Sequence, residues 1–250
     1  MIDNMADTST AHEVLVTVVQ VRDRPADHVE APGLEANVLL WQHNQGPANG
    51  RWALPGGFVR DDEDLATSAR RQLAEKVDVR QVSHLEQVAV FSDPRRVPGF
   101  RVFASAFLAL LPFGVEPSLP DDTRWWPVSA LPETAFDHDE ITSRALQRVA
   151  AKLSYSNLGF ALAPAEFTVS TLAAIYAAAL GHAVDPTNLR RVLTRRGELE
   201  PSGRSTTSGP SGGRPAALHR FVEHRLRITD QFAALRPPAP RAQLLALRDR

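Results

Sequence analysis

The chain contains no cysteine, and only Lys76 and Lys152 are lysines among its 28 basic residues. The absence of cysteine excludes disulfides and thiolate metal sites, and it is compatible with a reducing cytosol. No apolar run approaches the roughly 18 residues that a membrane-spanning helix needs, since the longest, 103–111, is interrupted by Ser105. Residues 1–11 have neither a basic start nor an apolar core, so we predict no secretory signal, no membrane partner and a cytoplasmic location.

Acidic residues are scarce in one part of the chain. Residues 151–250 contain 14 basic and 7 acidic residues, a net charge of +7, whereas residues 1–150 carry −8. The length of 250 residues allows one large core or two modest ones, and the hydrophobic content of 43% is ordinary for a globular protein. An acidic first part and a basic second part predict two domains with different partners.

Hydrophobic periodicity in the first part predicts strands around two helices. The predicted strands are 12–22, 36–42, 84–91, 100–111 and 121–128. One helix starts at Glu63, and a second runs from about Asp137 to Leu153, with apolar residues four apart in each. His138 lies among acids in the first turn of the second helix, and we interpret these acids as favourable to the helix dipole rather than as a metal site.

The segment from Gly57 to Val79, which follows Leu54-Pro55-Gly56, resembles the Nudix box. The pattern of that box is G-x5-E-x7-R-E-U-x-E-E-x-G-U, with U apolar. Six of its fixed positions are matched, by Gly57, Glu63, Arg71, Leu73, Glu75 and Val79. Three depart from it: Gln72, Lys76 and Asp78. The resemblance implies an α/β/α sandwich.

The departures bear on catalysis. Active Nudix hydrolases hold divalent metal with carboxylates at one end of this helix and generate hydroxide on the metal. Residues three and four apart are neighbours on a helix, so Gln72, Glu75 and Lys76 share one surface region. Their formal charge is zero, where three glutamates would carry −3. We therefore predict that the domain binds rather than hydrolyses, with no catalytic residue, no metal and no cofactor.

The basic part contains a helix-turn-helix pattern. Thr168 or Ser170 caps a helix over 171–180 that stops at Gly181. Asp185 caps a second helix over 186–196 that ends at Gly197, and its first residue is Pro186. Two helices around a short turn are typical of DNA-binding domains.

The second of these helices carries residue types that contact DNA. Leu189, Val192 and Leu193 are predicted to face the core. The remaining surface carries Thr187, Asn188, Arg190, Arg191, Arg195 and Arg196. Arginine and asparagine are the side chains that contact base edges and phosphates. A short strand over 198–200, a loop over 201–214 with Arg204 and Arg214, and a strand over 215–222 predict the wing of a winged helix.

The combination resembles the Nudix-related transcriptional regulators of NAD metabolism, the NrtR family, over about residues 12–228. The matching motifs of the second part are Tyr155-Ser156-Asn157, Leu162-Ala163-Pro164, Glu166-Phe167-Thr168, Ile175-Tyr176, Leu180-Gly181, Asp185, Asn188, Arg190-Arg191, Arg196-Gly197 and Gly213-Arg214-Pro215-Ala216. The resemblance implies a homodimeric bacterial repressor of NAD biosynthesis or salvage genes that binds palindromic double-stranded operators and is released by ADP-ribose. It places the effector beside Arg71, Gln72, Glu75 and Lys76, with Arg51 and Phe58 at the mouth of the pocket. It implies that a connector over 137–153 moves.

We therefore predict an α+β protein with a Nudix α/β/α sandwich followed by a winged helix-turn-helix domain. The predicted boundaries are a disordered tail over 1–11, an effector and dimerisation domain over 12–153, a DNA-binding domain over 154–230 and a C-terminal tail over 231–250.

Two other function classes stay open. The first is a Nudix pyrophosphatase acting on ADP-ribose-like nucleotides, with Glu63 or Asp78 as a substitute carboxylate; Mg²⁺-dependent phosphate release that Glu75→Ala abolishes would support it. The second is an RNA-binding Nudix protein whose basic part holds phosphates without sequence preference. Competition by unrelated duplex separates the second from a specific repressor.

Overall fold

A computed structural model of the chain describes residues 10–24, 33–43, 48–206 and 215–230. The first part is built on a seven-stranded sheet. Its strands are β1 (Ala11–Asp23), β2 (Leu34–Gln42), β3 (Trp52–Ala53), β4 (Gly56–Phe58), β5 (His84–Phe91), β6 (Val102–Leu111) and β7 (Thr123–Pro127). The order is β3-β2-β1-β6-β5, with β4 paired to β1 and β7 to β2. Strands β1 and β6 are parallel, and the other pairs are antiparallel.

Strand β1 supplies both faces of the sheet with core residues. Val14, Val16 and Val18 belong to one buried cluster, whereas Leu15 and Val19 belong to the other. This alternation follows from the two-residue period of a strand. Helix α1 (Leu65–Val77) buries its apolar side in the first cluster, and α2 (His138–Tyr155) buries its own in the second. The arrangement is the predicted α/β/α sandwich.

The ends of α1 are fixed by local signals. The Asp64 side chain accepts a hydrogen bond of 2.7 Å from the Thr67 backbone N–H, so the helix begins at Leu65, two residues after the predicted start at Glu63. The helix ends at Asp78, which adopts a left-handed conformation with φ 52°. Aspartate tolerates this conformation less well than the glycine of the box pattern but better than most residues.

The second part is a winged helix-turn-helix. Helix α3 (Val169–Leu180) begins at Thr168, one of the two predicted caps, and therefore two residues before the predicted start at 171. Helix α4 (Pro186–Arg195) begins at the predicted Asp185 cap. Strands β8 (Leu199–Ser205) and β9 (Ala217–Phe221) form the antiparallel hairpin of the wing. Strand β8 is longer than the predicted 198–200.

The two parts share one hydrophobic core. The cluster that contains Leu15 and Val19 of the sheet continues without a break through Leu162, Ile175 and Phe221 of the winged helix. The Phe113 backbone N–H also donates to the Leu162 carbonyl at 2.8 Å. The predicted boundary between residues 153 and 154 falls inside α2, so it is not a flexible linker. A large apolar interface holds two domains in one orientation.

Residues 1–9 of the first predicted tail and all of the second, 231–250, lie outside the described residues. The prediction was wrong for the last residue of the first tail, because Ala11 begins β1 and its N–H donates to the Arg101 carbonyl at 3.0 Å. None of the described helices is long and apolar enough to cross a membrane.

Candidate functional site

A cavity of about 800 Å³ opens at the box end of the sandwich. It lies between α1, the start of β1 and the segment that leads into β6. Charged residues in its lining are Glu13, Arg71, Glu75, Lys76 and Arg101, and its aromatic rings are Trp41, Phe58, Phe100 and Phe136. Phe58 and Phe100 are 61% and 67% exposed, so both stand at the mouth. The volume and the mixture of aromatic and charged groups suit a small-molecule site.

Arg71 organises the carboxylates of the box. Its guanidinium bonds both oxygens of Glu63 and lies 3.1 Å from Glu75, and it also donates to the Phe58 carbonyl at 3.2 Å. The hydrogen bonds from Arg71 lower the pKa of Glu63 to about 2. Both carboxylates are therefore engaged by this cation.

Gln72 is buried against the Gly56-Gly57 backbone. The orientation of its amide that satisfies both ends donates to the Gly56 carbonyl at 3.0 Å and accepts from Arg71 at 3.1 Å. A Cβ at position 57 would lie only 2.6 Å from this amide, so the turn needs glycine there. Gln72 is therefore an uncharged side chain whose amide forms its hydrogen bonds with other groups of the protein.

Lys76 places its ammonium 4.8 Å from the centre of the Trp41 ring, a cation–π contact. The ring of His43 packs 4.5 Å from the same Trp41. Burial and the nearby Lys76 charge lower the pKa of His43. One end of the cavity is therefore lined by an ammonium and an aromatic face.

These side chains do not fit a Mg²⁺ ion of the kind that Nudix hydrolases use. Mg²⁺ needs converging oxygen ligands, but Glu63 and Glu75 are bound by Arg71 and the two remaining positions hold an amide and an ammonium. Over the described ranges, no three His, Asp or Glu side chains lie together in a way that would hold a metal. The His138 side chain is buried, and its Nδ1 accepts a hydrogen bond of 3.1 Å from the Leu54 N–H.

Five of the six predicted effector residues line this cavity: Phe58, Arg71, Gln72, Glu75 and Lys76. The sixth, Arg51, does not. It forms an ion pair of 3.1 Å with Glu133 and lies outside the cavity lining. The prediction for Arg51 was wrong, because sequence proximity to the box does not specify which way the turn before β3 projects.

A buried ion cluster behind the cavity was missed by the sequence reasoning. The side chain of Arg96 is 1% exposed and bonds Asp137 through two nitrogens, at 2.9 and 2.7 Å, and Glu13 at 2.5 Å. This cluster ties the 92–101 segment to β1 and to the residue that caps α2. Its members are 41 and 83 positions apart, so no local signal could have revealed it.

Helix α4 presents a basic, polar face to solvent. Leu189 and Leu193 are buried on its inner side. The exposed residues on the opposite side include Thr187, Asn188, Arg190, Arg191 and Arg195. The Arg191 guanidinium bonds the Asn188 amide oxygen at 2.7 Å, whereas Arg190 and Arg195 form no ion pair within the described part of the chain. An uncompensated cationic helix face of this kind suits the DNA backbone and base edges.

The prediction for Arg196 was wrong. This arginine turns inward at the end of α4, where its side chain is 9% exposed and pairs with Asp230 at 2.7 Å. It also donates to the Ser154 carbonyl at 3.0 Å. Arg196 therefore joins the end of α4 to the last turn of α2, and its charge is not available to DNA.

The wing prediction needs one correction. Arg204 lies within β8 rather than on the loop, and its exposed side chain pairs with Glu166 at 2.8 Å. Arg214 lies outside the described residues. Arg220 on β9 adds a second cation to this hairpin and pairs with Glu200 at 2.7 Å.

Comparison with known proteins assigns each of the two parts of the chain to a known domain family. Residues 17–146 match the NUDIX domain, and residues 159–221 match the NrtR DNA-binding winged helix domain. The chain is 32% identical, over 75% of its length and 76% of the relative's, to the ADPR responsive transcriptional repressor NtrR of Acinetobacter baylyi. It shares 28% identity and a TM-score of 0.67 with Shewanella oneidensis NrtR in complex with a 27mer DNA, covering 84% of this chain and 92% of that one. An ADP-ribose pyrophosphatase of Methanocaldococcus jannaschii is 32% identical over 42% of this chain and 62% of its own length.

The two family models match the Nudix sandwich and the winged helix in this order along the chain, and the Acinetobacter baylyi repressor matches it over 75% of its length. The protein therefore belongs to the NrtR family of Nudix-related transcriptional regulators.

Proposed function

We propose that this protein is a DNA-binding transcriptional repressor of NAD biosynthesis or salvage genes whose Nudix domain senses ADP-ribose. The observation that carries the proposal is the pairing of a solvent-facing Arg/Asn surface on α4 with a Nudix cavity that does not fit Mg²⁺. The family relation to an ADP-ribose-responsive repressor supports it.

Five residues of α4 contact the major groove in this proposal, and they are Thr187, Asn188, Arg190, Arg191 and Arg195. Asn188 and the arginines supply the donors that pair with adenine and guanine edges. Arg204 and Arg214 on the wing contact the DNA backbone or the minor groove. In a homodimer on a palindromic operator, two copies of α4 lie about 34 Å apart.

The Nudix domain binds its effector without hydrolysing it. Arg71 and Lys76 supply cations for a diphosphate, and the exposed rings of Phe58 and Phe100 stand beside them at the cavity mouth. Gln72 and Lys76 occupy positions where a hydrolase needs carboxylates, so the site cannot generate a metal-bound hydroxide. Residues 12–153 form the effector and dimerisation unit and residues 154–230 the DNA-binding unit, although one core joins them.

Fluorescence anisotropy on a palindromic fragment from the protein's own NAD-gene promoter tests the proposal. The protein should prefer this duplex to unrelated duplex by about 10³ or more, and ADP-ribose should weaken the complex. Arg190→Ala should cost about 1–3 kcal/mol of binding to the operator. Arg95→Ala removes an equally exposed arginine far from α4 and serves as the control. Equal affinity for operator and unrelated duplex would refute sequence-specific repression.

The pyrophosphatase alternative has its own assay, because a relative of the first domain is an ADP-ribose pyrophosphatase. We expect no AMP release from ADP-ribose with Mg²⁺ or Mn²⁺. The double variant Gln72→Glu/Lys76→Glu restores two carboxylates and should gain Mg²⁺ binding, measured by isothermal titration calorimetry. Metal-dependent hydrolysis by the unaltered chain that Glu75→Ala abolishes would establish an enzyme instead.

A further inference from the structure

A second cleft, separate from the effector cavity, lies where the Nudix domain meets the winged helix. Its volume is about 590 Å³. Both parts of the chain line it: Arg70, Arg80 and His84 from the Nudix domain, and Phe160, His224 and Arg225 from the winged-helix domain. Among the residues that the structure describes, no carboxylate side chain belongs to its lining. A cleft lined by three arginines and two histidines favours anions, although Asp78 pairs with Arg80 and Glu86 lies 3.1 Å from His84.

Two of these arginines form no ion pair with a described residue, although the Asp64 carboxylate at the start of α1 lies within electrostatic reach of Arg70. Arg80 pairs with Asp78 at 2.8 Å. Arg70 makes one long bond of 3.4 Å to the Ala66 carbonyl. Neither Arg70 nor Arg225 has an ion-pair partner in the described ranges. Exposed arginines usually gain little from surface pairing, but two unpaired guanidiniums facing one cleft from different domains form a binding surface for phosphate groups.

The wall that carries His224 and Arg225 is held rigidly. The buried Asn157 amide donates to the Glu223 and Arg225 carbonyls at 3.2 and 2.9 Å, and its oxygen accepts from the Arg227 N–H at 2.7 Å. The His224 ring also packs edge-on against Phe160, with centroids 6.1 Å apart. Three hydrogen bonds from one buried side chain fix this loop before any ligand binds, which lowers the entropy cost of binding.

Part of the cleft is apolar. Phe160 is nearly buried, and Leu85 and Leu226 line the cleft beside it. A free phosphate would leave these groups in water. A ligand with a planar or apolar part and a chain of phosphates matches both the arginines and this floor.

The cleft wall adjoins the end of the wing hairpin that is opposite the wing loop. Ser205 and Ala217 pair near the wing loop, whereas Leu199 and Phe221 pair at the opposite end of the hairpin. The residues that form the cleft wall, 223–226, follow Phe221. Strand β9 has five residues, so the cleft lies roughly 16 Å or more from the wing end. This placement favours a small molecule over the operator backbone.

We propose that this interdomain cleft is a second anion site that binds a nucleoside di- or triphosphate. Arg70 and Arg225 hold the phosphates from opposite domains, and the floor of Phe160 and Leu226 accepts the nucleoside. A ligand bound there contacts the effector-sensing and DNA-binding domains together.

Isothermal titration of the full-length protein with ATP in EDTA tests this site. We expect saturable binding that excess ADP-ribose does not displace. The double variant Arg70→Ala/Arg225→Ala should weaken ATP binding at least tenfold, about 1.4 kcal/mol, while ADP-ribose binding stays within twofold. The matched control, Arg95→Ala/Arg144→Ala, removes the same charge elsewhere and should keep ATP affinity. Because Arg70 and Arg225 are exposed, the double variant should retain its unfolding midpoint.

Several results would overturn the proposal. These are undetectable ATP binding, displacement of ATP by ADP-ribose, and equal loss of affinity in both double variants. Loss of operator affinity in Arg70→Ala/Arg225→Ala with unchanged ATP binding would assign the cleft to the DNA backbone. If the double variant unfolds, the single charge reversal Arg225→Glu supplies the same comparison. Every ATP measurement is independent of operator binding, so failure here leaves the repressor proposal standing.

Discussion

Helices α1 and α4 both begin at an aspartate cap and both carry arginines, yet these arginines have different surroundings. On α1, Arg71 bonds two carboxylates of its own domain. On α4, Arg190 and Arg195 face solvent and form no ion pair within the described residues. Internal bonds hold the guanidinium of Arg71 in one place at the cavity, where a ligand must fit it, whereas exposed and uncompensated arginines attract an external anion over a wide surface. The contrast separates the sensing end of the molecule from its DNA-binding end.

The neighbours Arg195 and Arg196 give the sharpest test of this contrast. Arg196→Ala removes the buried cation that pairs with Asp230 at 2.7 Å and lies 4.0 Å from the buried Glu198, so we expect a loss of about 3 kcal/mol in the free energy of unfolding. Arg195→Ala removes only an exposed side chain and should change it by less than about 0.5 kcal/mol. Urea unfolding measures both. Equal stability of the two variants would show that the buried pair contributes nothing.

The buried His138 should make the sensing end sensitive to acid. Burial lowers its pKa from 6.5 to about 3. The unfolded chain therefore binds a proton at His138 below pH 6.5, while the folded chain stays neutral there until about pH 3. Stability falls across that range, by about 2 kcal/mol between pH 7 and pH 5. His138→Gln should flatten the pH dependence in urea unfolding; an unchanged slope would mean that His138 is not held neutral.

Arg71 is the α1 residue whose loss should affect ligand binding most. Arg71→Met removes the cation beside the cavity and releases Glu63 and Glu75 to repel a diphosphate. ADP-ribose affinity should fall at least tenfold, about 1.4 kcal/mol, in a titration followed by calorimetry. Arg95→Met is the control with an exposed arginine outside the cavity. If the Arg71 variant binds as tightly as the control, the effector lies elsewhere.

The smallest expected effect compares the two aspartate caps. Asp64 accepts from the Thr67 N–H at 2.7 Å, and Asp185 accepts from the Asn188 N–H at 2.6 Å. Replacing either by Ala should cost about 1 kcal/mol of stability. Only Asp185→Ala should also weaken operator binding, since its helix carries the DNA-contacting face. If Asp64→Ala lost as much operator affinity as Asp185→Ala, the loss would reflect reduced stability of the whole protein and not a change in α4.

Much of the fold was predictable because its signals are local. A cap bonds a backbone three residues ahead, and an amphipathic helix repeats its apolar residues every three or four positions. Thr168, Asp185 and Pro186 therefore predicted the ends of α3 and α4 closely. Five of the predicted effector residues line one cavity because they cluster within or beside one short motif; their contact with an effector stays a prediction.

The errors have the opposite cause. The prediction for Arg196 failed because its partner Asp230 is 34 positions away, whereas helix periodicity treats Arg195 and Arg196 alike. The Arg96 cluster and the Lys76–Trp41 contact also join residues far apart in the chain. No spacing rule connects them, since they depend on how strands and helices meet.

The sequence by itself determined the element types, the order of the two domains and the loss of two box carboxylates, because residue identity and short-range spacing fix these properties. Only the tertiary structure decided which arginines are satisfied by the protein and which remain free for a partner. It also decided that one core joins the two domains and that a basic cleft opens between them. The reason is that ion pairing, burial and cavities depend on distances between chain segments that folding brings together.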